Sequence, residues 1–214
     1  MSFQAVIFDM DGLLMDSERI GLSVMRECGK KQGYDIPLDM VRHTLGANKQ
    51  SSSDYYHQFF PALDTDQLFL DFKEAMCQLG REKKIPLKKG AAELLEALRR
   101  QGVPCAVASS SAQVTIGIYL DSVGVIQYFD ALITGSGLPS KPAPDIFFKA
   151  AKALNAAPER CLVLEDSIYG IQAGRNAGMT VVMVPDMIPY TDELKPYCDH
   201  VLPDLAAVIP LLKA

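Results

Sequence analysis

Long apolar runs are missing from this 214-residue sequence, and no stretch approaches the roughly 20 residues that a membrane-spanning helix needs. No signal peptide is expected either, because the residues Met-Ser-Phe-Gln pass directly into an apolar run without a basic region or a small-residue cleavage site. No internal repeat or low-complexity tract interrupts the chain. These absences predict a protein that acts in the cytoplasm and does not associate with membranes.

Cysteine pairs and excess positive charge are missing as well. The five cysteines are widely scattered and form no C-x-x-C pair, so the sequence favours neither a disulfide framework nor a zinc site. The net charge of −5 provides no long-range attraction to nucleic acid or to an anionic membrane surface. A negatively charged substrate would therefore have to be held by local cations and by a metal ion.

What the sequence does contain is a regular alternation of short strands and helices. Short apolar, β-branched runs without the polar alternation of a half-exposed sheet are typical of buried parallel strands. Such runs occur at residues 5–8, 103–108, 131–134, 162–164 and 181–184. Small residues in the last helical pattern, among them Gly170 and Gly174, suit close packing against a sheet rather than a role in a site. The alternation predicts right-handed βαβ crossovers and the α/β fold class, with a doubly wound parallel sheet.

Residues 17–88 break this alternation, because they show helical periodicity only. Apolar residues recur there at helical spacing in two separate stripes. We therefore predict an all-helical cap domain at 17–88, inserted into an α/β core domain that is formed by residues 1–16 and 89–214. The two connections, near residues 13–16 and 84–90, would act as hinges if the cap moves.

The loop after the first predicted strand carries two carboxylates, Asp9 and Asp11, in the string DMDGLLMDS that ends at Ser17. In an open α/β sheet, ligands bind beyond the carboxyl ends of the strands, which is where this loop lies. Two carboxylates separated by one residue repel each other unless a cation or a proton lies between them. Mg²⁺ suits such a site, because it takes oxygen ligands from a few carboxylates, water and phosphate. The alternative is a solvated turn or a helix cap, where aspartate is common.

Three further segments bring polar side chains to the ends of predicted strands. Ser109 and Ser110 end the second strand before a helix, where hydroxyl and main-chain N–H groups can bind an anion. Lys141 stands before a proline, which can aim its side chain back at the sheet edge. Glu165 and Asp166 end the fourth strand and would complete a metal site with the acidic loop. Each segment also has a structural interpretation, with the serines and Asp166 as helix caps and Lys141 as a solvated surface cation.

Together these segments resemble the sequence motifs of the haloacid dehalogenase-like superfamily, in the branch that carries a helical cap just after the first motif. The similarity covers essentially the whole chain and implies a Rossmann-like core. It implies that Asp9 is the nucleophile and Asp11 the acid/base, while the Ser109 hydroxyl and the Ser110 main-chain N–H bind a phosphate oxygen. It also implies that Lys141 offsets negative charge on the phosphoryl group and on Asp9.

The metal that the resemblance implies is Mg²⁺. Asp9, Asp166 and the main-chain carbonyl of Asp11 are expected to be its ligands. Glu165 is expected to be either a further ligand or a group that supports the ligands.

We therefore predict a Mg²⁺-dependent phosphohydrolase that forms an aspartyl-phosphate on Asp9 and then releases it to water. Its partner would be a small phosphorylated metabolite, with sugar phosphates expected among the phosphomonoesters that it hydrolyses. Asn48 and Lys49 lie in a turn of the cap where the family often carries substrate-contacting residues, so both are expected to bind substrate. A solvated surface cation is the alternative for Lys49. The chain is expected to be a monomer or a small homo-oligomer.

Three other functions fit parts of the pattern. The cap position and two of the strand-end motifs also resemble β-phosphoglucomutase, a phosphosugar mutase. In that enzyme a histidine shortly after the first loop helps to control the acid/base, and Gly21 takes its place here, while Lys49 replaces an arginine of the cap. Both differences favour a phosphatase. A dehalogenase would need neither Asp11 nor Asp166, and a non-enzymatic phosphorylated receiver would lack the inserted cap.

Overall fold

Six parallel strands form one continuous sheet in the computed structural model, which describes residues 3–47 and 49–213. In chain order the strands are β1 (Ala5–Phe8), β2 (Cys105–Ser109), β3 (Ala131–Thr134), β4 (Cys161–Glu165), β5 (Thr180–Met183) and β6 (His200–Val201). Their spatial order is β3-β2-β1-β4-β5-β6, so β1 lies between β2 and β4. Along the chain, β2 and β3 are added on one side of β1, and β4, β5 and β6 then follow on the other side. Sheets of this kind bind ligands at the position where the strand order reverses, which here lies beside β1.

Eight α-helices accompany the strands in the described ranges, and the first four follow one another without a strand between them. They are α1 (Ser17–Lys31), α2 (Leu38–His43), α3 (Lys49–Phe59), α4 (Thr65–Arg81), α5 (Ala91–Gln101), α6 (Gln113–Ser122), α7 (Asp145–Ala153) and α8 (Ile168–Asn176). The helices α1 to α4 have a buried cluster of their own, which includes Leu22, Tyr56 and Leu68. The predicted helical cap after β1 is therefore confirmed as part of the fold class, while the boundary residues of the two domains stay a prediction. None of the helices in these ranges combines the length and the apolarity that crossing a bilayer requires.

The sheet is covered on both faces. Because successive strand residues point to opposite faces, Val6 and Phe8 of β1 join one buried cluster, whereas Ala5 and Ile7 join the other. Side chains of α5 and α6 complete the first cluster, and side chains of α7 and α8 complete the second. Since both faces are buried, the central strands are apolar except for Ser109 and Glu165 at the carboxyl ends of β2 and β4, and the predicted doubly wound α/β class is confirmed.

The two chain segments that connect the cap to the sheet run side by side. Met15 forms an isolated antiparallel bridge with Leu87. The main-chain N–H of Asp16 donates to the carbonyl oxygen of Pro86 at 2.9 Å. A movement of the cap would therefore bend both segments together.

The predicted sheet differs from the structure mainly in two details, apart from shifts of one residue at other strand ends. The second strand begins two residues later than predicted, because Val103 still belongs to the turn that ends α5, where its N–H donates to the Leu98 carbonyl oxygen at 3.1 Å. The strand β6 was not predicted at all. Both of its residues are exposed, and two residues are too few to form a recognisable apolar run.

Two helical glycines differ in what surrounds them. A Cβ built at Gly174 in α8 would lie 2.9 Å from Val181 Cγ2 and 3.2 Å from Val163 Cγ1, whereas a Cβ at Gly117 in α6 meets no other part of the described structure within 4 Å. We expect Gly174→Ala to lower the free energy of unfolding by about 1–3 kcal/mol through overpacking. Gly117→Ala should raise it by about 0.5–1 kcal/mol, because alanine favours the helix. Urea denaturation of both variants measures the difference, and equal effects would contradict a packing role for Gly174.

Candidate active site

The polar residues singled out by the sequence meet at one edge of the sheet. Asp9 directly follows β1, Ser109 ends β2, and Glu165 and Asp166 lie at the end of β4. Because neighbouring parallel strands present their carboxyl ends at the same edge, the order of the strands places these residues side by side. Lys141 reaches the same place from the segment before α7.

Lys141 connects carboxylates from two neighbouring strands. Its Nζ lies 2.6 Å from Asp9 Oδ1 and 2.5 Å from Glu165 Oε1. Glu165 is 0% exposed, and its second oxygen, Oε2, accepts hydrogen bonds from the Asp166 N–H at 3.0 Å, the Ser167 N–H at 3.1 Å and the Ser167 hydroxyl at 3.0 Å. Both oxygens of Glu165 thus have partners, so this residue fixes the position of the Lys141 ammonium next to Asp9.

Burial and neighbouring charges shift the pKa values of Asp9 and Lys141. It raises the pKa of Asp9 to about 7, even though the adjacent Lys141 acts in the opposite direction. Burial also disfavours a charged lysine, but the carboxylates of Asp9 and Glu165 outweigh this and raise the pKa of Lys141 above its ordinary value. Lys141 therefore stays charged, yet it is a single cation beside several buried carboxyl groups. This imbalance favours the binding of a second cation.

The acidic side chains provide oxygen atoms for such a cation. One carboxylate oxygen each from Asp9, Glu165 and Asp166 lies within 4.8 Å of the other two. Asp166 is 2% exposed, and its Oδ1 has no hydrogen-bond partner among the described residues. Burial, with Glu165 as the next cause, raises the pKa of Asp166 well above its ordinary value. A hard divalent cation prefers oxygen ligands and fits this set of donors.

Two glycines leave space for these carboxylates. Gly12 has a φ of +86°, and a Cβ built on it would overlap Asp166 Oδ2. A Cβ built at Gly170, in the first turn of α8, would overlap the carboxylate of Glu165. Gly170 packs α8 against the end of β4, as predicted for the small residues of this helix, and any larger residue there would displace the Glu165 carboxylate.

Three hydroxyl groups hold Asp11. The Ser17 Oγ donates to Asp11 Oδ1 at 2.7 Å, while the Oγ atoms of Ser109 and Ser111 donate to Oδ2 at 3.2 Å and 2.8 Å. The Ser109 Oγ also accepts a hydrogen bond from the Ser111 N–H at 3.0 Å. Sequence reasoning gave no role to Ser17 or Ser111. The only indication that they belong to the site was that both lie next to the predicted motif residues. The network gives the Asp11 carboxyl group a defined orientation.

Glu18 is a further acid at the site, and its side chain is half-buried. It lies in the first turn of α1, and its Oε2 is buried without a hydrogen-bond partner among the described residues. Burial, together with the negative charge of Asp11, raises the pKa of Glu18 to about 8. Sequence reasoning missed Glu18, because an acid in the first turn of a helix is common and ordinarily complements the helix dipole.

Two cavities that share part of their lining lie between the cap helices and the sheet edge. The first, which we call the acidic chamber, has a volume of about 400 Å³, and its walls include Asp9, Ser109, Lys141 and Asp166. The second has a volume of about 480 Å³ and extends beneath the cap. The residues that line both cavities are Asp11, Glu18, Gly46, Ala47 and Lys49.

The residues predicted to bind substrate have different surroundings. Ser110 and Lys49 both line the acidic chamber. The Lys49 Nζ lies 2.6 Å from Asp66 Oδ1, in an ion pair whose two side chains are largely exposed. Asn48 lies outside the described residues. Substrate binding by these three residues stays a prediction.

A capped, doubly wound sheet with acids, a lysine and serines at its switch point defines a class of hydrolase. Residues 6–184 match the family of haloacid dehalogenase-like hydrolases, and the chain belongs to this family. A relative from Thermotoga maritima, named phosphorylated carbohydrates phosphatase, is 29% identical over 180 residues, which are 82% of each protein. A solved hydrolase of the family from Deinococcus radiodurans R1, with bound phosphate and sodium, is 31% identical, has a TM-score of 0.75 and matches over 96% of this chain and 93% of that one.

The fold also matches that of a mutase. The solved β-phosphoglucomutase from Clostridium difficile has a TM-score of 0.79 and 23% identity, over 96% of this chain and 93% of that one. At this identity the match concerns the fold alone. The comparisons confirm the predicted family and support the predicted class of enzyme, a phosphatase. The roles of the individual site residues stay predictions.

Proposed function

We propose that this protein is a Mg²⁺-dependent phosphatase that hydrolyses small phosphomonoesters through an aspartyl-phosphate on Asp9. One observation carries the proposal. In the acidic chamber, Asp9 is paired with the fixed cation of Lys141 and lies close to Asp166, whose Oδ1 has no partner among the described residues. Phosphoryl transfer requires this kind of site, because its catalysis consists almost entirely of positioning and of stabilising charge.

The reaction follows as two displacements at phosphorus. In the first, a carboxylate oxygen of Asp9 forms a bond to phosphorus while the bond to the leaving oxygen breaks, and Asp11 gives a proton to that oxygen. In the second, a water oxygen forms a bond to phosphorus, Asp11 takes a proton from the water, and the bond to Asp9 breaks. The hydroxyl groups of Ser17 and Ser111 keep the Asp11 carboxyl group in one orientation for both steps, while the Ser109 hydroxyl would turn from Asp11 to a phosphate oxygen of the substrate.

The two positive charges at the site, Mg²⁺ and Lys141, would be held by different residues. When bound, Mg²⁺ supplies a divalent charge that offsets the negative oxygens of the transferring phosphoryl group. Asp9, Asp166 and the Asp11 carbonyl oxygen would hold it. Glu165 would support Lys141 rather than the metal, because both of its oxygens already have partners.

Sugar phosphates are the first small phosphomonoesters to test, because the Thermotoga maritima relative is named for phosphorylated carbohydrates. The Ser109 hydroxyl and the Ser110 main-chain N–H, both at the acidic chamber, would bind phosphate oxygens. Lys49 could exchange its exposed partner Asp66 for a negatively charged substrate.

A phosphosugar mutase is the second candidate, since β-phosphoglucomutase shares the fold. A mutase must return the phosphoryl group to a sugar before water takes it. The resemblance places a controlling histidine at position 21, where this chain has glycine. A Cβ built at Gly21 would lie 3.3 Å from the Phe72 ring, so a larger side chain would press against that ring. This packing supports a phosphatase over a mutase.

Phosphate release from a panel of small phosphomonoesters, with Mg²⁺ and with a chelator, tests the proposal. β-Glucose 1-phosphate is followed in parallel for the formation of glucose 6-phosphate. We expect metal-dependent phosphate release from several esters. Conversion of glucose 1-phosphate with little free phosphate would identify a mutase instead, and no reaction with any ester would contradict both functions.

Replacing Asp166 by alanine removes a proposed metal ligand. We expect the Mg²⁺ concentration for half-maximal activity to rise at least about tenfold, or activity to be lost. Asp39→Ala is the matched control, because the Asp39 side chain lies in the cap and is 89% exposed. A Mg²⁺ titration of Asp166→Ala that coincides with the control would exclude Asp166 from the metal site.

A further inference from the structure

The second cavity differs from the acidic chamber in the character of its walls. Its volume of about 480 Å³ lies within the range of roughly 300–1,000 Å³ that is typical of small-molecule sites. We call it the apolar chamber, and its apolar walls are the side chains of Met25, Val41, Leu45, Phe69, Phe72 and Met76. They come from α1, from α2 and the turn after it, and from α4, so the cap supplies all six.

The apolar chamber adjoins the site of the proposed chemistry, because five residues line both chambers. Asp11 lines both chambers, and it is the residue proposed to protonate the leaving oxygen. A substrate with its phosphoryl group at Asp9 would therefore place its leaving oxygen at Asp11. The remainder of the leaving group would extend from there into the apolar chamber.

Some polar groups also line the apolar chamber. Glu18 and Lys49 lie where it meets the acidic chamber. The hydroxyls of Ser17 and Ser111 already donate to Asp11.

The six apolar side chains offer no hydrogen bond to a leaving group that is rich in hydroxyls. A hydroxyl that leaves water must find a new partner, or it loses its hydrogen bonds against the apolar walls. Thr44, one of the wall hydroxyls, already donates to the Val41 carbonyl oxygen at 2.8 Å and lies 3.1 Å from the Tyr56 hydroxyl. An apolar ring would instead gain from the burial of its surface against these side chains.

We propose that the apolar chamber selects phosphomonoesters whose leaving group carries an apolar or aromatic ring. Such esters would be preferred over phosphorylated polyhydroxy sugars. This inference rests on the proposed phosphatase function and narrows its substrate class.

Two matched esters test the inference. Cyclohexylmethyl phosphate and glucose 6-phosphate both carry a six-membered ring that is joined through one methylene group to the phosphate oxygen, and they differ mainly in the ring hydroxyls. We expect kcat/KM with Mg²⁺ to be at least about tenfold higher for cyclohexylmethyl phosphate. Equal values, or a preference for glucose 6-phosphate, would overturn the inference and leave the phosphatase function intact. A chain that releases phosphate from no ester would instead overturn the proposed function.

The same substitution at two positions distinguishes an effect of the apolar chamber from an effect elsewhere in the cap. Leu45→Asn makes one wall of the chamber polar, whereas Leu70→Asn changes a side chain that is 49% exposed and lines neither chamber. We expect Leu45→Asn to lower the preference for cyclohexylmethyl phosphate by roughly three- to tenfold. Inhibition by inorganic phosphate should stay unchanged, because the acidic chamber is intact. An unchanged preference in a Leu45→Asn protein that still binds phosphate would overturn the inference, and Leu70→Asn should alter neither quantity.

Discussion

Replacing Lys141 by methionine is expected to destabilise the metal-free protein by about 3–5 kcal/mol and to lower kcat by at least about a hundredfold. The Lys141 side chain is 10% exposed, and its Nζ lies 2.6 Å from an oxygen of Asp9 and 2.5 Å from an oxygen of Glu165. Methionine fills much of the same space but leaves two buried carboxyl groups without their cation. Urea denaturation in the presence of a chelator measures the stability, and phosphate release with Mg²⁺ measures kcat.

A matched control and a double variant distinguish the effect of the lost positive charge from the effect of changed packing. Lys149→Met, on the exposed face of α7, should leave both quantities close to those of the unmodified protein. Adding Glu165→Gln to Lys141→Met removes one of the unpaired negative charges, so part of the lost stability should return while activity stays low. A Lys141→Met protein as stable as the Lys149→Met protein would contradict the proposed ion-pair network.

Asp9→Asn is expected to lower kcat by more than about a thousandfold without unfolding the chain. Asparagine has almost the same shape as aspartate, and its side-chain oxygen can still accept a hydrogen bond from Lys141. An amide, however, does not replace a carboxylate as the nucleophile that attacks phosphorus. Phosphate release measures the loss, while circular dichroism and urea denaturation verify the fold.

The control for this substitution comes from the same loop. Asp16 is a carboxylate whose Oδ1 lies 3.4 Å from Arg19 and 3.6 Å from Lys88, away from the proposed chemistry. Asp16→Asn should therefore keep activity of the same order as the unmodified protein. If Asp9→Asn also kept such activity, Asp9 would not be the nucleophile.

The sheet and the positions of the main site residues could be predicted because strand ends leave a clear pattern. Asp9, Ser109 and Glu165 each come at the end of a short apolar run, and parallel strands bring such ends to one edge. Lys141 lies on no strand, and its placement was predicted from the proline that follows it and from the resemblance. The structure then brings its Nζ between carboxylates of β4 and the loop after β1.

Other residues of the site could not be predicted, because their local pattern has a more common explanation. An acid such as Glu18 in a first helical turn and a serine such as Ser111 before a helix are typical of ordinary helix starts. Gly170 matches a packing glycine by sequence, yet its missing Cβ leaves space for the Glu165 carboxylate. Only the three-dimensional arrangement assigns these residues to the site.

The apolar chamber could not be predicted either. Phe69, Phe72 and Met76 form part of a regular helical stripe, and such a stripe does not distinguish the core of a cap from the wall of a cavity. That distinction depends on where the cap helices lie relative to the sheet edge, which is a property of the tertiary structure.

Trapping the phosphoryl group on the protein tests the central claim most directly. The enzyme is mixed with a reactive phosphomonoester and Mg²⁺, quenched in acid during turnover, and analysed by peptide mass mapping. We predict a phosphoryl group on the peptide that contains Asp9, and its absence from the Asp9→Asn protein. Phosphate release without any phosphorylated peptide, or a phosphoryl group on a residue that Asp9→Asn does not affect, would contradict the proposed mechanism.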